Sequence, residues 1–145
     1  MWLNMAREDY QKALKGERSY ARYLSEGKYP HLQVLEELLS HTDVVAEEDL
    51  GICSIPSEMI VGTFTAGRRT AFAPNFMPLL DDESEFAAKW QALYNAHLEE
   101  GIHDPIKCYE FMNRYYVLEG NKRVSVLKFC DAPSVHGNVT RIIPK

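Results

Sequence analysis

Tyr115-Tyr116-Val117-Leu118-Glu119-Gly120-Asn121-Lys122-Arg123-Val124-Ser125-Val126-Leu127-Lys128-Phe129 is the stretch that decides the fold. An aromatic and branched run of strand character stops at Glu119-Gly120, and a helix-compatible segment opens at Asn121-Lys122-Arg123. The pattern predicts a strand, a tight glycine turn and a helix start carrying two cations. The first N–H groups of a helix have no partners within it, and the macrodipole adds partial positive charge there, so anions settle at such a junction. Gly120 allows a sharp turn or a close approach to a ligand, Asn121 suits a helix cap, and Lys122 and Arg123 bring formal charge. The same residues also suit an ordinary corner whose Lys and Arg point into solvent.

Working outward, Ile106 to Phe111 reads as a strand that turns through Met112-Asn113-Arg114 into the Tyr115 run, a hairpin. Ser84 to Glu100 predicts a helix with Ser84 as cap, Gly101 as stop, and Phe86, Trp90, Leu93, Ala96 and His97 on one face. Val124, Val126, Leu127 and Phe129 give a short half-buried helix ended by Asp131-Ala132-Pro133, and Ser134 to Ile143 a final strand bulged at Gly137. Toward the other end, Leu50 to Ile55 is a strand stopped by Pro56, and Met59-Ile60-Val61 is another apolar piece before Gly62. Thr63 to Pro78 reads as a long loop with one helical turn and the cations Arg68 and Arg69. From about Asn4 to Leu39 the spacing is helical, with breaks at Gly16, Gly27 and Pro30; this tyrosine- and leucine-rich arm is suited to packing on the domain behind it or on a second copy. The order predicts an α+β fold with a small mixed sheet, divided into an arm (1–49) and a domain (50–145).

At 145 residues and 46% hydrophobic content the chain can bury one respectable core. A net charge of -5 argues against a generic nucleic-acid coat, which needs a broad basic surface. The charge is uneven. Glu36, Glu37, Asp43, Glu47, Glu48, Asp49 and Glu58 form a stretch without Lys or Arg, which reads as a solvated face or connector. Lys107, Arg114, Lys122, Arg123, Lys128, Arg141 and Lys145 make the last third locally basic. Cys53, Cys108 and Cys130 are widely spaced in apolar surroundings, as reduced thiols are. Neither Cys-x-x-Cys nor His-x-x-x-His spacing occurs, so His97 and His103 read as helix-end and loop histidines rather than metal ligands. The apolar part of the N-terminus is short for a signal peptide, and no run approaches the roughly 20 apolar residues of a membrane span, so the expectation is a cytoplasmic protein without a membrane partner.

Gly101-Ile102-His103-Asp104-Pro105-Ile106, then Leu118-Glu119-Gly120-Asn121-Lys122-Arg123, then Val139-Thr140-Arg141-Ile142-Ile143-Pro144 resemble the ParB N-terminal / sulfiredoxin-like superfamily. Ile55-Pro56 through Ile60, followed by Arg68, is similar to that family's opening strand and arginine-bearing loop, and the likeness spans about Leu50 to Lys145. The chain also resembles the leading segment of larger bacterial proteins in which such a module precedes a solute-binding domain. The resemblance implies that the glycine turn holds nucleotide phosphates: CTP in ParB proteins, ATP in sulfiredoxins. Carried over, Gly120, Asn121, Lys122 and Arg123 form the phosphate turn and Arg68 reaches the same anion, with a nucleoside triphosphate and Mg2+ as the implied ligand. Asn121 stands where sulfiredoxin has its reactive cysteine, so that chemistry has no nucleophile here; Ser125 stands where ParB has a second arginine. ParB's DNA-reading part has no counterpart, so specific DNA binding is not implied.

The leading expectation is a regulatory binding module, with Arg123 forking onto phosphate oxygens, Lys122 acting as a point charge, and Thr63 and Thr65 as second-wall hydroxyls. Two alternatives stand beside it. An enzyme hydrolysing nucleotides or phosphodiesters needs carboxylates at the turn, for which Glu119, Asp104 and Glu110 are available, although Glu119 can instead neutralise Lys122. A purely structural module would use Arg123 in a salt bridge to the acidic connector and the arm for self-association or for docking a following domain.

Overall fold

A computed structural model describes the backbone of residues 2–14 and 16–145, and side chains over that range except at Trp2, Leu3, Asn4, Gly16 and Arg68. Two helices, α1 (Trp2–Ala13) and α2 (Gly16–Ser25), lead into a short strand β1 (Gln33–Val34) and one helical turn α3 (Leu35–Leu39). Strands β2 (Val44–Pro56) and β3 (Ile60–Thr63) follow, then a 3-10 segment Ala66–Ala71 and the long helix α4 (Glu85–Glu99). The hairpin β4 (Ile106–Phe111) and β5 (Arg114–Glu119), helix α5 (Asn121–Phe129) and strand β6 (Ser134–Pro144) complete the chain. The strands form one six-stranded mixed sheet in the order β1-β3-β5-β4-β6-β2, with β3 parallel to β5, β4 parallel to β6, and β2 antiparallel to β6 at one edge. This is the α+β class that the sequence predicts.

Local chemistry explains the elements. Ser84 caps α4 by accepting from the Ala87 N–H at 3.1 Å, and Gly101 at φ 81° terminates it. Met112 and Asn113, at φ 52° and 64°, make the two-residue hairpin turn that matches strand twist. Three expectations need correction. Strand β2 begins at Val44, not Leu50, because the acidic residues Glu47, Glu48 and Asp49 lie on an edge strand whose side chains stay in water. The irregularities in the β2–β6 pairing lie between Val44 and Ala46 and between Asp49 and Gly51; Gly137 pairs regularly with Cys53 and is small because a Cβ there would come within 2.6 Å of Ile55. The buried stripe of α4 is Phe86, Ala87, Trp90 and Tyr94, whereas Ala96 is exposed.

Trp90 organises the helical layer. Its indole meets Tyr10 of α1 edge-on at 5.2 Å and Phe129 of α5 at 5.5 Å, and stacks with Tyr94 at 5.5 Å. Its N–H donates to the hydroxyl of Ser125, fully buried in α5, at 2.9 Å. Tyr10 in turn donates to the Leu80 carbonyl at 2.6 Å, and Tyr94 to Asp9, so the arm helix α1 shares one core with α4 and α5. Val124, Val126 and Leu127 are buried outright, not half-buried, because they share one core with Ile60, Ile106 and Val117 of the sheet and with Trp90 of α4.

Lys128 closes α5 differently. Its amine donates to the Ile60 carbonyl at 2.8 Å and lies 5.0 Å from the centroid of Phe76, and burial pushes its pKa down from 10.5 to about 8.

Two stability measurements test this packing. Ser125→Ala leaves the buried indole N–H without its acceptor and is expected to cost about 1–3 kcal/mol in urea unfolding; an unchanged midpoint would deny Trp90–Ser125 its role. The folded chain holds the Lys128 proton less tightly than the unfolded chain, so between about pH 8 and 10.5 unfolding takes up a proton and stability rises with pH. Relative to Lys128→Met, the wild-type protein should therefore gain about 2 kcal/mol from pH 7.5 to 10. Parallel pH profiles would contradict it.

Candidate functional site

The candidate site forms where β5 passes into α5. Gly120 is the residue before the helix and has φ 112° and ψ 25°, a conformation that L side chains rarely adopt. Space imposes the same choice: a Cβ at this position would lie 2.7 Å from the Ile106 side chain and 3.1–3.2 Å from the Arg123 guanidinium. The glycine therefore lets α5 start directly off the strand end, with Arg123 folded back over the bare Cα. Its carbonyl accepts from the Val124 N–H at 3.0 Å, the first bond of the helix, and no side chain caps the N–H groups of residues 121–123.

Asn121 is the first helical residue and not the cap. Its side chain turns inward, where Nδ2 donates to the Thr63 hydroxyl at 3.2 Å, and that hydroxyl donates to the Val117 carbonyl at 3.1 Å. Because the single proton of Thr63 is committed to Val117, the hydroxyl can only accept from Asn121, which fixes the amide orientation. Asn121 Oδ1 is left buried with no hydrogen-bond partner among the described residues. Thr63 is thus a buried support for β3, β5 and α5 rather than a second wall of the site, and Thr65 is exposed.

Arg123 donates through Nη1 to the carbonyls of Asp104 and Pro105, at 3.2 and 3.3 Å. The salt bridge to the acidic connector that a structural role would require is not made; Arg69 pairs with Glu37 of that connector instead. The partners of Arg123 are neutral, so the guanidinium keeps its charge uncompensated there, with Nε and Nη2 directed over Gly120. Glu119 pairs with Lys107 at 3.7 Å across the hairpin. Lys122 lies over the Phe86 ring, its Nζ 5.2 Å from the centroid. The side chain of Arg68, the remaining expected anion contact, lies outside the described residues.

Gly120 to Arg123 line one end of a cleft of about 480 Å3. Its walls are Phe72, Phe86, Ala92 and Leu93, with Lys89 on the α4 rim. Lys89 is tied to Glu85 of its own helix at 3.2 Å; no carboxylate is among the described lining residues. Apolar walls with cations and unpaired amides at one end suit a ligand with a flat apolar body and an anionic group. Sequence reasoning found the turn but missed the wall from α4, since Lys89 and Leu93 look like ordinary helix residues until the fold brings α4 beside α5.

Other expected chemistry is placed elsewhere. Glu110 is buried and engaged by Arg141 at 2.6 Å and by the Asn113 N–H at 2.8 Å, so it is not available to the turn. Cys53, Cys108 and Cys130 are all free thiols, and burial pushes Cys108 up to about 12, which makes it inert. His97 and His103 serve the α4 end, with His97 accepting from the Ile102 N–H at 3.2 Å and His103 lying 2.8 Å from the Glu100 carbonyl. Among the described residues there is no group of acidic, histidine or cysteine side chains able to hold a metal, and no helix long and apolar enough to cross a membrane.

No protein-family model matches the chain, and no curated protein matches it by sequence. Among solved structures, the crystal structure of sulfiredoxin from Arabidopsis thaliana is similar to it, at 20% identity over 61% of this chain and 82% of that one, with a TM-score of 0.42. The relationship is a distant one of fold.

Gly120→Ala tests the turn. Forcing a Cβ into φ 112° and against Ile106 is expected to cost about 2–4 kcal/mol, the combined size of a strained backbone and an overpacked contact. Gly67→Ala, where nothing lies within 4 Å, should stay within about 0.5 kcal/mol of the wild-type protein. Equal effects of the two substitutions would show that Gly120 is not constrained.

Proposed function

We propose that this chain is a non-catalytic regulatory module that binds a nucleotide or another phosphate-bearing ligand on the Gly120–Arg123 turn. The observation that carries the reading is the coincidence, in one cleft, of the uncapped N–H groups of residues 121–123 with Lys89, Lys122 and Arg123. The amides and Lys122 meet phosphate oxygens, and the free edge of the Arg123 guanidinium adds a directed pair of donors. Phe72, Phe86 and Leu93 offer apolar surface to a base or sugar. The buried Asn121 Oδ1 lacks a donor, and a ligand hydroxyl or a water carried with it would supply one after a small side-chain adjustment. Lining residues without a carboxylate give no protein ligand for Mg2+, so a metal accompanying a triphosphate would be held by phosphate oxygens and water. The same composition favours binding over hydrolysis, since no carboxylate or histidine is among the described lining residues to take a proton from water. Asn121 has no thiol with which to perform sulfur chemistry.

Thermal denaturation with nucleoside triphosphates, with and without Mg2+, tests the proposal. Ligand at about 100 times its Kd stabilises the folded chain by about 2.7 kcal/mol, a rise in Tm of about 5–10 °C for a chain of this size. Arg123→Ala should remove the rise, and Lys89→Ala/Lys122→Ala, which leaves the loop contacts of Arg123 intact, should reduce it steeply. High salt should weaken it in the wild-type protein. No rise with any triphosphate or with inorganic phosphate would overturn the reading.

A further inference from the structure

Between α2 and the loop at Pro74-Asn75 lies a second cleft, of about 370 Å3, lined by Arg18, Ser19, Arg22, Tyr23, Pro74 and Asn75. Arg18 and Arg22 stand four residues apart on α2, so their side chains are neighbours on one face of the helix. The arginines that pair with carboxylates are Arg7, Arg69 and Arg141; Arg18 and Arg22 form no ion pair among the described residues. Arg22 rests instead on the Tyr23 ring, its guanidinium carbon 5.7 Å from the centroid, which steadies the group without neutralising it. Asn75 completes the wall. Its Oδ1 accepts from the Met77 N–H at 3.1 Å, so the acceptor is committed and the two N–H donors of Nδ2 are left for a ligand. Ser19 adds a hydroxyl. No carboxylate lines this cleft among the described residues. Glu58 and Asp131 belong to adjoining clefts that share Tyr23 or Asn75 with it, and Glu26 is held by Lys28 at 3.0 Å.

We propose that this cleft is an anion site, separate from the Gly120 turn, and that its ligand is a phosphate monoester dianion. Two guanidiniums bring two formal charges, which match a dianion, and their paired N–H groups fit the spacing of phosphate oxygens. The Asn75 amide and the Ser19 hydroxyl donate to the oxygens that remain. Two cations at this helical spacing repel, and a dianion between them turns that repulsion into attraction. A carboxylate or a phosphodiester carries a single charge and leaves one guanidinium unmatched. The cleft extends beyond the volume of a phosphate group, and Pro74 offers the ester substituent an apolar edge. It shares no lining residue with the Gly120 cleft, so the two anion sites are independent.

The test follows the Arg18 and Arg22 Nε–Hε signals and the Asn75 Nδ2 signals of the 15N-labelled whole chain by NMR. O-phosphoserine, inorganic phosphate, dimethyl phosphate and acetate are titrated in turn at pH 7.5 and constant ionic strength. Phosphoserine, a dianion at this pH, should move all three sets together and saturably, about tenfold more tightly than dimethyl phosphate or acetate, and no more weakly than inorganic phosphate. Arg18→Gln and Arg22→Gln should each weaken it about tenfold or more. Asn75→Asp keeps the acceptor for the Met77 N–H while placing a carboxylate in the cleft, and should abolish it. These substitutions lie on exposed positions, and backbone spectra unchanged outside the cleft confirm that each variant is folded. Arg123→Ala should leave the affinity unchanged. Signals that stay still or move without saturating would overturn the proposal, as would a diester or acetate binding as tightly as phosphoserine. Tighter binding of inorganic phosphate would overturn the ester assignment, and loss of binding in Arg123→Ala would overturn the independence of this cleft.

Discussion

The structure depends on the anchoring of α5 by the Trp90 indole. A helix of nine residues is too short to be stable alone, so its position is set by what it buries. Trp90 makes edge-to-face contacts with Phe129 and with Tyr10 and one directional bond to Ser125. That bond fixes the rotation of α5 as well as its depth. Once Ser125 and Val126 face inward, Lys122 and Arg123 are carried to the cleft between α5 and α4, and Lys128 to the side near β3. The placement of both ends of this short helix therefore follows from a buried contact made in its middle.

The Gly120 corner adds a steric constraint to that anchoring. Ile106 occupies the place of a side chain on one side and Arg123 on the other, so the residue before α5 can only be glycine. A helix begun in this way has no capping side chain, and the donors that a Ser or Asp would have satisfied remain available at the cleft. The arginine is held by carbonyls rather than by a carboxylate, which preserves its charge for something else. The helix start is uncapped and the arginine is held by neutral carbonyls, and these are the two features on which the proposed phosphate site rests.

Much of this was legible in the residues because the relevant signals are local. The Ser84 cap, the Met112-Asn113 turn and the Gly120 corner each depend on a few neighbouring dihedrals, and their chemistry stands in the sequence. The long edge strand was legible only in part, since an edge strand exposed on its free side carries charges that look like a connector. Ser125 and Lys128 were not legible at all. A serine and a lysine in a nine-residue helix look like surface residues, and only the approach of Trp90 and of the Ile60 carbonyl makes them interior. Asn121 looks like a cap, but Gly120 takes that position and Thr63, distant in sequence, claims the side chain.

The most direct test of the central claim is residue-specific: titration of 15N-labelled protein with a nucleoside triphosphate, following the backbone amides. The account predicts that the signals of Asn121, Lys122 and Arg123 move together and furthest, with smaller shifts at Lys89 and Leu93 across the cleft. Amides 121–123 that stay still while other signals move, or a spectrum unchanged at saturating triphosphate, would contradict it.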